Sequence, residues 1–129
     1  MTLTPARDDT RATREAVERF NEATGRRDVD EMMALMTDDC VFEKTFPAPD
    51  GARYTRQPAV RGFWQQLFTD APTATFEAEE LFVAGDRCVV RWLYRWGPDA
   101  PEKPAHVRGV DVFRVRDGKV AEKLSYVKG

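Results

Sequence analysis

The sequence predicts an α+β domain in which three helices precede an antiparallel sheet. Apolar residues recur at helical spacing in the first half of the chain, and the pattern changes to alternation in the second half. Turn residues divide the alternating part into four runs, which suits a meander of neighbouring strands. Because 129 residues are enough for one domain with its own core, we expect a single domain spanning residues 1–129.

The helices are predicted from apolar spacing and from residues that begin or end helices. Residues 9–25 carry small or apolar side chains at helical intervals and end at a glycine. A second helix begins after Asp28, which opens an acid-x-x-Glu capping box, and it includes Met36. The third helix begins at Pro58, since proline is tolerated in a first turn, and it ends before Pro72.

The strands are predicted from alternation between turn signals. A short strand is expected at residues 40–45, followed by a proline-rich loop at residues 46–51. The meander is expected at residues 73–83, 88–96, 107–115 and 120–127. An Asp-Gly pair at residues 117–118 is a strong signal for a tight hairpin between the last two strands.

Alternation also predicts which side chains share a face of the sheet. Trp92, Tyr94 and Asp111 fall on one face, and we expect the helices to cover it. The opposite face mixes arginine with aliphatic side chains, in a set formed by Arg91, Arg95, Arg108, Val110, Val112, Arg114, Leu124 and Tyr126. This mixture predicts a homodimer interface, and a solvated sheet face is the alternative. A β-bulge would shift the assignment.

Charge and cysteine content exclude several classes of protein. The net charge is −2 with both signs mixed, so no basic surface is expected to bind nucleic acid or a membrane. The N-terminal segment has no apolar core of a secretion signal, which predicts a cytoplasmic location. Cys40 and Cys88 lie in apolar runs and the chain has one histidine, so we expect free buried thiols and no metal or organic cofactor.

Asp111 is the strongest candidate for chemistry, because this carboxylate stands between Val110 and Val112 in a strand. An apolar pocket disfavours the charged form of an unpaired carboxylate, which makes it usable as an acid or base near neutral pH. Two alternatives stay open. An ion pair with Lys44 or Lys123 would make Asp111 structural, and the outer face would leave it in solvent.

Other residues of the same predicted face complete the candidate site. Lys44 and Lys123 could bind an anionic or enolate-like ligand, although long stems could instead carry both amines to the rim. Tyr94 is the hydroxyl that, with either lysine, would steady an oxyanion. The expected contacts to a flat hydrophobic ligand are Phe42, Tyr54, Phe63, Trp64, Trp92 and Phe113. Such an aromatic set is also typical of a core.

Four stretches together resemble the nuclear transport factor 2-like superfamily, in its SnoaL-like polyketide cyclase branch. They are ERFNEATGRRDVDEMMALMTDDCVFEKT, AVRGFWQQLF, VAGDRCVVRW and GVDVFRVRDGKVAEKLSYV, and they cover most of the chain. The resemblance implies a cystatin-like α+β roll, in which a curved antiparallel sheet and three helices form a cone with an apolar pocket at its wide end. Its members include cyclases, ketosteroid isomerases, limonene-epoxide hydrolases and non-catalytic modules, so the fold alone does not give the function.

The resemblance also bears on individual residues. VDVFRVRDGKV is similar to the isomerase segment whose aspartate donates a hydrogen bond to the substrate oxyanion, and Asp111 falls on that position. The isomerase tyrosine falls on Phe20 and its base on Lys44. FEKTFPAPDG resembles a hydrolase loop, but the arginine and two aspartates of that family fall on Trp92, Tyr94 and Ser125. Phe20 and Ser125 are therefore expected only to contact a ligand.

These observations predict a cofactor-independent enzyme that acts on a hydrophobic carbonyl compound by acid/base proton transfer, in the manner of a cyclase or isomerase. Asp111 would be the acid/base, and Tyr94, Lys44 or Lys123 would steady the oxyanion. The alternative is a non-catalytic module that binds a hydrophobic ligand or dimerises. An open cavity lined by Asp111 favours the enzyme, whereas a cavity filled by aromatic side chains favours the module.

Overall fold

Three helices and six strands make up the computed structural model, which describes residues 6–129. The helices are α1 (Ala6–Gly25), α2 (Val29–Ala34) and α3 (Gln57–Asp70). The strands are β1 (Met36–Glu43), β2 (Arg53–Thr55), β3 (Thr75–Ala84), β4 (Arg87–Arg95), β5 (His106–Arg116) and β6 (Lys119–Val127). The sheet curves around the helices, which confirms the predicted α+β cone. Residues 1–5 of the predicted domain lie outside the described residues.

The helices form for the reasons that their sequences suggest. α1 buries a face whose residues are spaced by three and four, namely Thr13, Ala16, Val17, Phe20 and Ala23. α2 begins where predicted, because Asp28 Oδ1 accepts a hydrogen bond from the backbone N–H of Glu31 at 3.1 Å. It is shorter than predicted, since Met36 pairs with Val120 and begins β1. None of the described helices is long and apolar enough to cross a membrane.

The strands form one sheet in the order β2-β1-β6-β5-β4-β3. β3 to β6 make the predicted antiparallel meander. β1 lies parallel to β6, so the sheet is mixed rather than antiparallel throughout. β2 was not predicted, because only the three residues Arg53–Thr55 pair with β1 and so short a run carries no alternation signal.

The hairpin between β5 and β6 contains the predicted tight turn. Asp117 and Gly118 both have positive φ, 53° and 75°, as a type I′ turn requires. Two residues beyond the turn, the register shifts: Val115 pairs with Val120, whereas the preceding Arg114 pairs with Glu122. Ala121 is therefore an extra residue on β6, which makes a β-bulge.

The inner face of the sheet forms the core together with α1 and α3. Cys88, Val90 and Phe113 are buried there, as the alternation predicted. Val120 was predicted on the outer face, but it is fully buried because the bulge at Ala121 places it inside. Both cysteines of the chain are free and buried, as expected. Burial raises the pKa of the Cys88 thiol to about 11.

The outer face of the sheet carries ion pairs between strands of the meander. The guanidinium of Arg108 on β5 reaches across β4 and binds Glu79 on β3 with two hydrogen bonds, 2.9 and 3.2 Å long. Arg91 on β4 pairs with Glu80 on the neighbouring β3 at 3.0 Å. Tyr126 is 54% exposed on this face. The mixture of charged and apolar side chains that predicted a dimer interface is thus present, and dimerisation stays a prediction.

Candidate functional site

A cavity of about 280 Å³ lies between the inner face of the sheet, α3 and the segment that follows β1. It brings together most of the predicted site residues, namely Phe42, Lys44, Phe63, Trp64, Trp92, Tyr94, Asp111, Lys123 and Ser125. A second cavity of about 240 Å³ extends towards α1 and shares Trp64, Trp92, Asp111 and Lys123 with the first. We refer to these two adjacent cavities together as the hollow and to each of them as a lobe, and Asp111 and Lys123 line both.

Three predicted ligand-binding residues do not line either lobe. Phe20 and Phe113 have no exposed surface and pack edge to face, with ring centroids 6.1 Å apart. They belong to the core because α1 lies directly over the middle of the meander. Tyr54 stacks on the far side of Phe42 at 6.2 Å between centroids, and it lines a groove outside the hollow.

Three polar side chains form a connected cluster in the hollow. Asp111 Oδ2 lies 3.2 Å from the Nζ atom of Lys123. Asp111 Oδ1 accepts a 2.6 Å hydrogen bond from the Ser125 hydroxyl, which itself accepts one from Lys123 Nζ at 3.1 Å. Asp111 and Lys123 are each 4% exposed, so this cluster is removed from bulk water. Among the described residues, no three His, Cys, Asp or Glu side chains are grouped to hold a metal ion.

The cluster decides between the alternatives left open for Asp111. The carboxylate is buried in the hollow, not on the outer face, and its partner is Lys123 rather than Lys44. The acid/base prediction assumed a carboxylate without a salt partner, and this assumption is wrong. The structure shows the ion-pair alternative, and whether the paired carboxylate also takes part in chemistry stays a prediction. The partner is present because Asp111 lies opposite Ser125 in the β5–β6 register, and Lys123 is two residues from Ser125 on the same face.

The bulge at Ala121 is what brings Lys123 and Ser125 inside. The register next to the turn pairs Arg116 with Lys119, and continued without a bulge it would put Leu124 opposite Asp111. The extra residue moves every later side chain of β6 to the other face. The short apolar and charged segment that contains the bulge gives no sequence signal for it.

Aromatic rings enclose the ammonium group of Lys123. Its Nζ atom lies 4.6 Å from the ring centroid of Phe42, which is its neighbour on β1, and 5.2 Å from the ring of Trp64 on α3. Such cation–π contacts stabilise a positive charge that has lost water. The carboxylate, the hydroxyl and the two rings together replace the hydration of this lysine.

Phe76, Trp92 and Tyr94 form the wall of the hollow on β3 and β4. The Phe76 centroid lies 4.7 Å from that of Tyr94 and 5.6 Å from that of Trp92. Trp92 faces Gly109 across β4 and β5, and a Cβ atom at Gly109 would come within 2.5 Å of the indole. The glycine therefore gives the ring its place, and an isolated glycine in a strand pattern was the available signal.

Tyr94 supplies a hydroxyl group at the wide end of this wall. Burial raises the pKa of its phenol, and the nearby positive charge of Arg27 acts in the opposite direction. A raised pKa means that the phenol keeps its proton well above neutral pH. Tyr94 is thus a phenol that can donate a hydrogen bond, on a side chain that lines both the hollow and the adjoining groove beside Arg27.

Lys44 stands at the mouth of the hollow. Its Nζ atom lies 4.3 Å from the ring centroid of the exposed Phe46 and 5.6 Å from that of Phe63. Its backbone is fixed by the following loop: the Lys44 N–H donates to the carbonyl of Ala52 at 3.0 Å. Gly51 packs so closely that a Cβ atom would overlap the Lys44 carbonyl oxygen, at 1.9 Å.

Comparison with known proteins shows which families and structures this chain resembles. The profile of the SnoaL-like domain matches residues 17–123. An NTF2-like protein of unknown function from Mesorhizobium loti is 39% identical over 100% of both chains, with a TM-score of 0.81. A candidate ketosteroid isomerase from Kribbella flavida shares the fold at 21% identity, 94% of this chain, 81% of its own and a TM-score of 0.77. A candidate polyketide cyclase from Xanthomonas campestris does so at 20% identity, 93% of each chain and a TM-score of 0.70. No curated protein matches the chain.

Proposed function

Because this chain belongs to the SnoaL-like domain family, within the nuclear transport factor 2-like superfamily, we propose that it is a cofactor-independent enzyme for a hydrophobic carbonyl compound. It moves a proton at the carbon next to the carbonyl, as an isomerase or a cyclase does. The observation that carries this proposal is the buried pair of Asp111 and Lys123, which lines both lobes of an apolar hollow.

Asp111 acts as the base. The ammonium of Lys123 and the hydroxyl of Ser125 hold its side chain in place in the hollow. Each carboxylate oxygen accepts one short contact from these partners, and further lone pairs are left for a substrate C–H proton.

Lys123 and Tyr94 stabilise the oxyanion that forms when the proton leaves. As Asp111 takes the proton, the C–H electron pair forms the enolate double bond and the carbonyl pair becomes the charged oxygen. A fixed positive charge and a phenol donor in a site poor in water stabilise this charge strongly. The indole N–H groups of Trp64 and Trp92 also have no hydrogen-bond partner in the described part of the chain.

The enolate has two fates that conserve all atoms. In an isomerase, Asp111 returns its proton to a different carbon of the conjugated system. In a cyclase, the enolate carbon forms a bond to a second carbonyl carbon of the same molecule, and the resulting alkoxide receives the proton. The aromatic walls of the hollow favour flat, folded substrates in both cases.

Proton exchange tests the proposal without knowledge of the natural substrate. Hydrophobic ketones such as 2-tetralone are incubated with the protein in D2O, and NMR follows the loss of the protons next to the carbonyl. We expect exchange above the buffer rate, and a fall of about 100-fold or more for Asp111→Asn, in line with the usual contribution of a positioned base. Asp38→Asn, which alters an exposed carboxylate on β1, is the matched control. Wild-type exchange by Asp111→Asn would rule out this mechanism.

The buried ion pair also favours a second candidate function. Asp111 and Lys123 satisfy each other, so the same hollow is suited to hold a hydrophobic ligand without chemistry. A ketone that raises the melting temperature of the protein but exchanges no protons would favour this binding module.

The setting of this activity is proposed from the surface and the sequence. The mixed outer face of the sheet supports a homodimer, with Tyr126 in the contact, and the sequence supports a cytoplasmic location. Light scattering of the wild type and of Tyr126→Glu checks the dimer, because an added charge should dissociate an interface at this face. A wild type that is monomeric at high concentration would contradict it.

A further inference from the structure

We infer that the substrate of the hollow carries a carboxylate, which Lys44 binds at the mouth. This inference rests on the proposed function in one respect, because it names the class of compound that enters the same site. It starts from the charges that line the main lobe: Asp111, Lys123 and Lys44. Asp111 and Lys123 compensate each other at 3.2 Å, which leaves the positive charge of Lys44.

Lys44 makes no ion pair in the described part of the chain, and its neighbour Glu43 binds Arg53 instead. Asp70 lines the groove on the outer side of Lys44, but it accepts a hydrogen bond from Gln66 at 2.8 Å and does not come within ion-pair distance of the amine. A ligand carboxylate would therefore meet a cation with no competing acid beside it.

The surroundings of Lys44 increase the free energy gained from a charged partner above what the same contact would give in water. The side chain is half-buried, and its amine is flanked by the rings of Phe46, Phe63 and Tyr54 at 4.3, 5.6 and 5.9 Å. The rings attract the cation, but they offer it no hydrogen-bond acceptor as strong as a carboxylate oxygen. The alternative is that these rings and solvent satisfy the amine, which gives Lys44 only a packing role.

The backbone sets an approximate spacing between Lys44 and the pair of Asp111 and Lys123. Lys44 follows Phe42 by two residues on the same side of the chain, and Phe42 pairs with Lys123 across β1 and β6. Two residues of extended chain span roughly 7 Å. A substrate could thus place its carbonyl group near Asp111 and Lys123 and, at the other end of one aromatic ring of its own, a carboxylate beside Lys44.

Acetophenone and 4-acetylbenzoate test this arrangement, because they differ only in a carboxylate on the opposite side of the ring. We expect the wild type to bind 4-acetylbenzoate about tenfold more tightly than acetophenone in calorimetric titrations, as one charge-assisted contact suggests. Lys44→Met keeps the side-chain stem and should abolish the preference, whereas Lys44→Arg should retain it. Lys119→Met removes the same charge at the exposed β5–β6 turn and should leave the preference intact.

The outcomes separate this inference from the proposed function. Asp111→Asn should retain the carboxylate preference even where proton exchange is lost, so a failed exchange assay does not affect the binding result. If Lys44→Met binds 4-acetylbenzoate as tightly as the wild type, Lys44 has only a packing role. The inference is equally overturned if the wild type shows no preference, including failure to bind both compounds up to their solubility, or if Lys119→Met loses the preference as well.

Discussion

The two faces of the sheet use the same kinds of charged groups in opposite surroundings. On the outer face, the side chains of Arg108 and Glu79 are 46% and 29% exposed, whereas those of Lys123 and Asp111 on the inner face are each 6% exposed. Water screens an exposed pair, so its formation changes the free energy of folding little. A buried pair must first lose its hydration, and it stabilises the fold only weakly. Stability alone therefore does not explain the inner pair, whereas the proposed function would give it a role.

Removal of one partner from the inner pair should give the largest effect. Lys123→Met leaves a buried carboxylate without compensation, and we expect a loss of about 3–5 kcal/mol in the free energy of unfolding. Asp111→Leu combined with Lys123→Met should be more stable than either single variant, because no uncompensated charge remains. Urea denaturation measures all three. A double variant that loses the sum of both single effects would mean that the two charges are not energetically coupled, which would contradict this explanation.

A change in the packing of the inner face should have the second-largest effect on the free energy of unfolding. Gly109→Ala places a methyl group 2.2 Å from the carbonyl oxygen of Tyr126 and against the Trp92 indole, so we expect a loss of about 1–3 kcal/mol in the free energy of unfolding.

Gly62 on the exposed side of α3 is the matched control, because an added Cβ meets nothing within 4 Å. Gly62→Ala should raise the stability by about 0.5–1 kcal/mol. Thermal and urea denaturation compare the two variants. Equal stability of Gly109→Ala and the wild type would show that the indole has room to move.

The outer pair should give the smallest effect, and one that depends on pH. The hydrogen bonds from Arg108 hold the pKa of Glu79 below its usual value of 4.5. A lowered folded-state pKa contributes stability above that value, and this contribution disappears as the pH falls through the pKa of the folded state. Glu79→Gln should therefore lower the urea midpoint slightly at pH 7, and this difference should shrink as the pH falls below 4.5. A loss whose size does not change as the pH falls would contradict the electrostatic explanation.

The fold was predictable because its signals are local and repeated. Apolar spacing gave α1 and α3, alternation gave β3 to β6, and Asp117–Gly118 gave the hairpin turn. The end of α2 was not predictable from its own residues, since Met36 takes the extended form only because Val120 pairs with it. β2 was not predicted for the same reason, because its pairing with β1, and not its own sequence pattern, makes it a strand.

The site was predictable as a set of residues but not as a set of contacts. Residue type and alternation placed Asp111, Lys123 and Tyr94 on one inner face, which the structure bears out. The ion pair depends on the register between β5 and β6, and one extra residue in β6 fixes that register. Phe20 and Phe113 left the candidate set because the position of α1 over the sheet, which sequence spacing does not give, decides what fills the narrow end.

The extra residue at Ala121 makes the content of the hollow depend on how chain length and pairing register are matched. A regular hairpin with all residues present would put Leu124 opposite Asp111 and turn Lys123 and Ser125 to the other side of the sheet. A regular hairpin without Ala121 would instead keep Ser125 opposite Asp111, because the bulge absorbs this one residue. Among related proteins, the length of this hairpin and the presence of a bulge consequently have to be compared together before the polarity of the interior is inferred.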